Sequence, residues 1–262
     1  MEKIIIRNMT SDDEPYCFSC GHVNESTEWT NSQNRRKQWF YSNNENDLII
    51  KTAVLKSKII GFLYLLPIEK APFGPLGENL LVIQCLAIRN NYRNLGAGKL
   101  LIASAEEEAL NQGKNGIVVV GYFHDFWFMP ATFFIKCNYK IVKRKKNVAI
   151  LWKTFSKKAK KPYFMISKYK FKEKKNKVVV DLFWTHSCQT TDTEAQNVRE
   201  VVSEFNDNVI LNDYCIDDIG LRNKYCVSRG IYINGKSISW GYEAPKNGIR
   251  DAIRKELIKL KS

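Results

Sequence analysis

Apolar residues fall along this chain in short β-branched and aromatic runs, separated by stretches with helical spacing. Lys3 to Arg7 reads as a short strand around Ile4-Ile5-Ile6. Thr10-Ser11-Asp12-Asp13-Glu14 offers N-cap chemistry for a helix behind it. Asn24 to Asn34 is polar and turn-rich, which predicts a loop, and Arg35 to Tyr41 predicts a helical turn. Leu48–Leu55 and Lys58–Leu66 read as two strands joined near Lys56-Ser57. Pro67 to Gly77, rich in proline and glycine, reads as a loop. A strand is predicted over Leu80–Ile88 and a helix over Lys99–Gln112, ended by Gly113. Leu100, Leu101, Ala105 and Ala109 mark that helix's buried face, and Glu106-Glu107-Glu108 its largely solvated side. Gly116–Tyr122 is a buried strand, Ala131–Cys137 a short helix, and Tyr139–Val142 and Val148–Trp152 two more strands.

The remainder follows a second α/β pattern. Val178–Phe183 is a strand, followed by a helix running to about Phe205. Val209–Cys215 is a strand and Asp218–Tyr225 a helix. Ile231–Ile233 and Lys236–Trp240 form a hairpin over Asn234-Gly235, the dipeptide favoured by the tightest hairpin turn. Asn247–Leu260 is a final helix, so the order is βαβαββα.

A chain of 262 residues allows one large or two ordinary domains, and 44% hydrophobic content suffices for packed cores. The net charge of +14 points to an anionic partner. Nucleic acid and a membrane surface are the weaker readings, because most of the excess lysine falls in Lys153–Lys177. That stretch interleaves lysines with Tyr163, Phe164, Tyr169 and Phe171. Phosphate contacts and base stacking use such a pattern. A linker over 156–176, whose aromatics dock on a domain, is the reading favoured here. No apolar run approaches the roughly 20 residues of a spanning helix, and Ile4-Ile5-Ile6 is too short for a signal peptide. Seven scattered cysteines fit a reducing compartment, so the expected location is cytoplasmic. Cys17-Phe18-Ser19-Cys20-Gly21-His22 lacks the second half of a zinc site. It reads as two small thiols on a helix, and no metal is expected.

The stretch richest in chemistry is Arg93-Asn94-Leu95-Gly96-Ala97-Gly98, with Lys99 behind it. Strand, glycine loop and helix in succession make a phosphate-binding layout. A helix N-terminus presents N–H groups and partial positive charge. The two glycines let backbone approach an anion. Arg93 and Lys99 add full charges. No G-K-[ST] follows, and the dinucleotide spacing G-x-G-x-x-G is absent.

Leu86-Ala87-Ile88 followed by Arg93 to Gly98 resembles motif A of the GNAT acetyltransferases, and the resemblance covers roughly residues 1–155. It implies a mixed central sheet flanked by helices. It also implies acetyl-CoA as cosubstrate, its pyrophosphate on Arg93, Asn94, Leu95, Gly96, Ala97, Gly98 and Lys99, and its pantetheine arm along Leu86, Ala87 and Ile88. The segment Ala131-Thr132-Phe133-Phe134-Ile135-Lys136-Cys137-Asn138-Tyr139 resembles a later family motif with two departures. Asn138 replaces glycine, and Phe134, assigned to the cofactor site, stands where many members carry a tyrosine that protonates the CoA thiolate. The acceptor would be a small-molecule or peptide amine. Backbone near Cys85 and Leu86 would bind the thioester oxygen. His124 and Asp125 are candidate bases, Glu78 a weaker one, and Tyr122 a candidate donor to the thiolate. Oligomeric state is not readable.

Residues 177–262 resemble a thioredoxin- or glutaredoxin-like domain. Asp181-Leu182-Phe183-Trp184, Ile233-Asn234-Gly235-Lys236 and Gly241-Tyr242-Glu243-Ala244-Pro245 resemble the YoaP-type domain found behind some GNAT modules. Cys188 takes the place of a first redox cysteine at a helix start, where a thiol pKa falls. Thr191 stands where the resolving cysteine would be, and Arg229 or Gly230 where a cis-proline would be. The alternatives to acyl transfer are a thiol redox or interaction module centred on Cys188, and a non-catalytic basic binding protein.

Overall fold

The computed structural model describes residues 3–23, 26–44, 48–124, 128–240 and 243–261. It divides into two compact units, Met1–Glu25 with Lys37–Met165, and Ser26–Arg36 with Ile166–Ser262. The division falls inside the lysine-rich stretch, and residues 26–36 count with the second unit.

Among the described residues the first unit holds a seven-stranded sheet in the order β1-β2-β3-β4-β5-β7-β6. The strands are β1 (Ile5–Asn8), β2 (Ile49–Leu55), β3 (Lys58–Pro67), β4 (Leu81–Ile88), β5 (Gly116–Tyr122), β6 (Lys140–Lys145) and β7 (Val148–Thr154). Every neighbouring pair is antiparallel except β4 with β5. Alternation along β3 supplies two faces. Leu63 and Leu65 join the core that includes Ala97, Leu101, Ile102 and Ala105 of α3 (Ala97–Asn111) and Phe134 of α4 (Ala131–Lys136). Phe62, Tyr64 and Leu66 join the opposite core, with Tyr16, Cys17 and Phe18 of α1 (Glu14–Phe18). Leu100 does not share the buried face expected for it and is 43% exposed. Leu101, Ala105 and Ala109 lie on it as expected, and Ile102 joins them in place of Leu100. Of the three glutamates expected on the solvated side only Glu107 is exposed; Glu106 and Glu108 are partly buried at the flanks of α3, where they pair with Lys153 and Lys51 of the sheet.

The entry to α1 is held by charge. Arg7 Nη2 donates to Asp13 Oδ1 at 3.0 Å, and the Thr10 N–H donates to Asp13 Oδ2 at 2.9 Å. Burial works to raise the Asp13 carboxyl, but these partners outweigh it and hold the group below its ordinary value.

The loop predicted from Asn24 to Asn34 is corrected by α2, a helix over Thr27–Trp39. The segment contains no glycine or proline, and the Ser26 hydroxyl accepts the Trp29 N–H at 3.2 Å. A capped start outweighs middling propensities.

The second unit runs β8 (Val178–Trp184), α5 (Gln189–Ser203), β9 (Val209–Cys215), α6 (Ile219–Tyr225), β10 (Gly230–Ile233), β11 (Lys236–Ile238) and α7 (Lys246–Lys261). Its sheet order is β11-β10-β8-β9, with β8 parallel to β9 over seven residue pairs. One face is covered through Ala195, Val198, Ile249 and Ile253. The other is aromatic, with Tyr169, Tyr214, Tyr225 and Tyr232 packed around Phe183, Ile216 and Val227. Asn234 and Gly235 both have positive φ, 47° and 75°, as the tight hairpin demands.

The aromatics of the lysine-rich stretch divide between the units. Tyr163 exchanges backbone hydrogen bonds with Leu76, and Phe164 packs in the first unit's core. Tyr169 donates to Asp181 Oδ2 at 2.7 Å in the second unit. No described helix is long and apolar enough to cross a membrane.

Candidate active site

The site is built where β4 and β5 part. Leu81, Val82 and Ile83 pair in parallel with Ile117, Val118 and Val119, and among the described residues no later pair joins the two strands. Beyond that point β4 stays on β3 as far as Ile88 opposite Gly61. Strand β5 stays on β7 as far as Tyr122 opposite Val148. A wedge therefore opens between the C-terminal halves of β4 and β5.

Its cause lies in one residue. Tyr64 pairs with Cys85 and Leu65 with Ile83, so Gln84 is an extra residue on β4. Such a bulge bends its strand and sharpens the local twist. The Gln84 amide secures the Pro67–Gly77 loop, donating through Nε2 to the Phe73 carbonyl and accepting the Phe73 N–H at 3.3 Å. Gly61 permits the close approach that follows. A Cβ there would lie 2.4 Å from Ile88 Cδ1 and 2.7 Å from the Ala87 carbonyl oxygen.

Beyond β4 the chain is turned by Arg89, whose Nε donates to the Ile59 carbonyl at 2.9 Å and whose guanidinium lies 4.1 Å from the Tyr16 ring centroid. A short 3-10 turn over Asn90–Tyr92 follows. Asn94 and Gly96 then take positive φ, 65° and 89°, and α3 begins at Ala97. The first-turn N–H groups of a helix have no carbonyl of their own helix to bond. They open here beside exposed Arg93, Asn94, Leu95, Gly96 and Lys99. A Cβ at Gly96 would meet nothing within 4 Å, so the loop's outer side is open to a ligand. Gly98 has a different reason to be glycine. A Cβ there would lie 3.1 Å from the Phe133 ring. The open loop, its charges and the parted strand edge fit an acyl-CoA, with phosphate at the loop and amide-bearing arm at the edge.

The wedge residues expected from the sequence fall as follows. Leu86 and Ile88 pack with the core beneath α3, while Cys85 and Ala87 pack with the opposite core. Tyr122 ends β5, its N–H donating to the Met129 carbonyl at 3.0 Å. The exposed His124 ring lies 5.4 Å from the Tyr122 ring. Asp125 lies outside the described residues. Glu78 pairs with Lys160 on the surface, away from any buried position. Phe134 is fully buried, edge-on to Phe133 and Tyr139. The side chain lying against the start of α3 is Phe133. Sequence reasoning missed Gln84, although a lone amide inside the apolar run Leu80–Ile88 was a visible signal.

The model of the Acetyltransferase (GNAT) family matches residues 6–126. No curated protein matches the chain. Solved structures similar to it include the PaiA N-acetyltransferase from Thermoplasma acidophilum in complex with coenzyme A, at 18% identity over 58% of this chain and 99% of that one, TM-score 0.40. They include the ribosomal-protein-alanine N-acetyltransferase from Brucella melitensis, at 17% identity over 58% and 99%, TM-score 0.42. An aminoglycoside 6'-acetyltransferase type Ii is similar at 19% identity over 57% and 96%, TM-score 0.44.

Proposed function

We propose that the first unit, in which residues 6–126 match the model of the GNAT acetyltransferase family, transfers the acetyl group of acetyl-CoA to an amine. The observation that carries this reading is the end of the parallel ladder at Ile83 and Val119, on the strand that feeds the Gly96 loop. In this reading the first turn of α3, with Arg93 and Lys99, holds the pyrophosphate. The edge of β4 at Leu86–Ile88 takes the pantetheine amides as a sheet takes an added strand. Backbone N–H donors near Cys85 and Leu86 bind the thioester oxygen as charge develops on it. Holding a neutral amine against the thioester carbon supplies much of the rate. His124 accepts the amine proton, assisted by Asp125, and Tyr122 donates to the departing thiolate. The acceptor is a small-molecule or peptide amine.

For the second unit the proposal is a thioredoxin-like, YoaP-type domain that does not run a dithiol cycle. Cys188 is the N-cap of α5, and the Thr191 hydroxyl donates within this turn to the Thr185 carbonyl at 2.7 Å. The setting in this proposal is cytoplasmic, which seven cysteines scattered without a disulfide-framework spacing favour.

The test is release of the CoA thiol from acetyl-CoA across a panel of polyamines, aminoglycosides and peptides with free amino termini. Amine-dependent release is expected. Folded protein that neither binds acetyl-CoA nor releases thiol with any amine contradicts the reading.

A further inference from the structure

Within the second unit, His186, Cys215 and Asp217 gather at the C-terminal ends of β8 and β9, outside anything used by acyl transfer. Nδ1 of His186 lies 2.8 Å from Oδ2 of Asp217, and the Cys215 Sγ lies 3.7 Å from the same nitrogen and 3.3 Å from the same oxygen. All three residues are partly buried. One imidazole nitrogen thus faces both a thiol and a carboxylate. That is not the arrangement of a catalytic triad, in which the carboxylate and the thiol sit on opposite ring nitrogens.

We propose that His186 Nδ1, Cys215 Sγ and Asp217 Oδ2 form a three-ligand site for a zinc-class divalent cation, with water as the fourth ligand. Zinc takes N, S and O ligands at about 2.0–2.3 Å in a tetrahedron, which sets ligand atoms roughly 3.3–3.6 Å apart. The two distances to sulfur already lie close to that edge. The nitrogen–oxygen pair, now joined by a hydrogen bond, needs to open by about half an ångström. Charge also balances. The thiol proton leaves to solvent and the imidazole carries its proton on Nε2, so a neutral imidazole, one thiolate and one carboxylate bind and neutralise the dication.

The surroundings support the ligands without competing for the metal. The Thr185 hydroxyl donates to the other carboxylate oxygen, Oδ1, and the His186 N–H donates to Oδ2 at 3.0 Å. Both bonds persist when Oδ2 also binds a cation, and such outer partners fix a ligand's orientation. The Trp184 ring, 4.5 Å from the imidazole, limits its rotation. The Arg36 guanidinium is occupied by the His186 and Ser187 carbonyls, at 3.0 and 3.2 Å. Cys188 is not needed in this site. His186 and Asp217 retain 25% and 13% side-chain exposure, which leaves an approach for the ion and its water.

The test is titration of the full-length, reduced protein with cobalt(II), read by thiolate-to-cobalt charge-transfer absorption, followed by displacement with zinc. One equivalent carrying the charge-transfer band is expected, lost on zinc addition. Cys215→Ser should abolish the band, and His186→Gln should weaken binding by at least about tenfold. Cys20→Ser and Cys188→Ser should both keep it. Circular dichroism establishes that each variant is folded, and His186→Gln decides if Cys215→Ser is not. Folded wild type without the band at saturating cobalt overturns the site. So does a band unchanged in Cys215→Ser, or one lost in Cys20→Ser.

Discussion

Ile83 pairs with Val119, and the next residue of its strand, Gln84, is a bulge that ends the parallel ladder between β4 and β5. The same amide holds the Phe73 loop by two hydrogen bonds. Gln84→Ala is therefore expected to cost about 1–3 kcal/mol, from two hydrogen bonds at the usual net value. The melting temperature of the first unit's transition should fall, and KM for acetyl-CoA should rise as the loop loosens. An unchanged KM with a lowered melting temperature would confine Gln84 to stability.

The Arg7–Asp13 contact gives the fold a defined acid dependence. The Asp13 carboxyl is held below its ordinary value, so its contribution is present above the unfolded pKa of about 3.9. That contribution disappears as pH falls through the lowered folded value. Melting curves of wild type and Asp13→Asn should differ most near pH 6–7 and converge below about pH 4. A gap that stays constant down to pH 3 would mean that the carboxylate charge is not what stabilises this turn.

Phe134 stands where the family resemblance places a tyrosine, yet its ring is fully buried against Phe133 and Tyr139. Phe134→Tyr adds a hydroxyl to a close-packed apolar site, at a cost of about 1–3 kcal/mol. It is expected to lower the melting temperature and leave turnover no higher. Raised turnover with an unchanged melting temperature would place this ring at the thioester instead.

His124 is the exposed base candidate beyond β5. His124→Ala should lower kcat by about 10²–10⁴ and remove the corresponding limb of the pH–rate profile. Acetyl-CoA binding should be unchanged, because the imidazole acts on the acceptor's proton. A profile identical to wild type would take the proton to solvent or to Asp125.

Local signals carried much of this structure, and long-range ones did not. The loop from Arg93 to Lys99 was readable because strand, glycine turn and helix are contiguous, and the Asn234-Gly235 hairpin because its turn chemistry is confined to two residues. The reason for Gly98 was not readable. It is set by the Phe133 ring, which approaches from a helix over thirty residues away in sequence. Helix α2 was missed because a polar segment without glycine or proline reads alike as loop or helix until its partners are known. The cluster of His186, Cys215 and Asp217 shows no ligand spacing in sequence. The parallel pairing of β8 with β9 brings Trp184 beside Cys215, and so gathers the residues that follow the two strands.

In the proposed function the Gly96 loop binds the pyrophosphate of acetyl-CoA. The most direct measurement is calorimetric titration of CoA into wild type, Gly96→Ala and Gly96→Glu. Both variants carry the same backbone strain, because φ at this position is +89° and a residue with a Cβ pays about 1–2 kcal/mol there. Only the glutamate adds bulk and negative charge on the loop's open side. Gly96→Ala is expected to keep CoA affinity within a few-fold of wild type, and folded Gly96→Glu to lose it by at least about a hundredfold, from like charges brought into contact. Wild-type CoA affinity in folded Gly96→Glu would mean that the pyrophosphate does not sit on this loop.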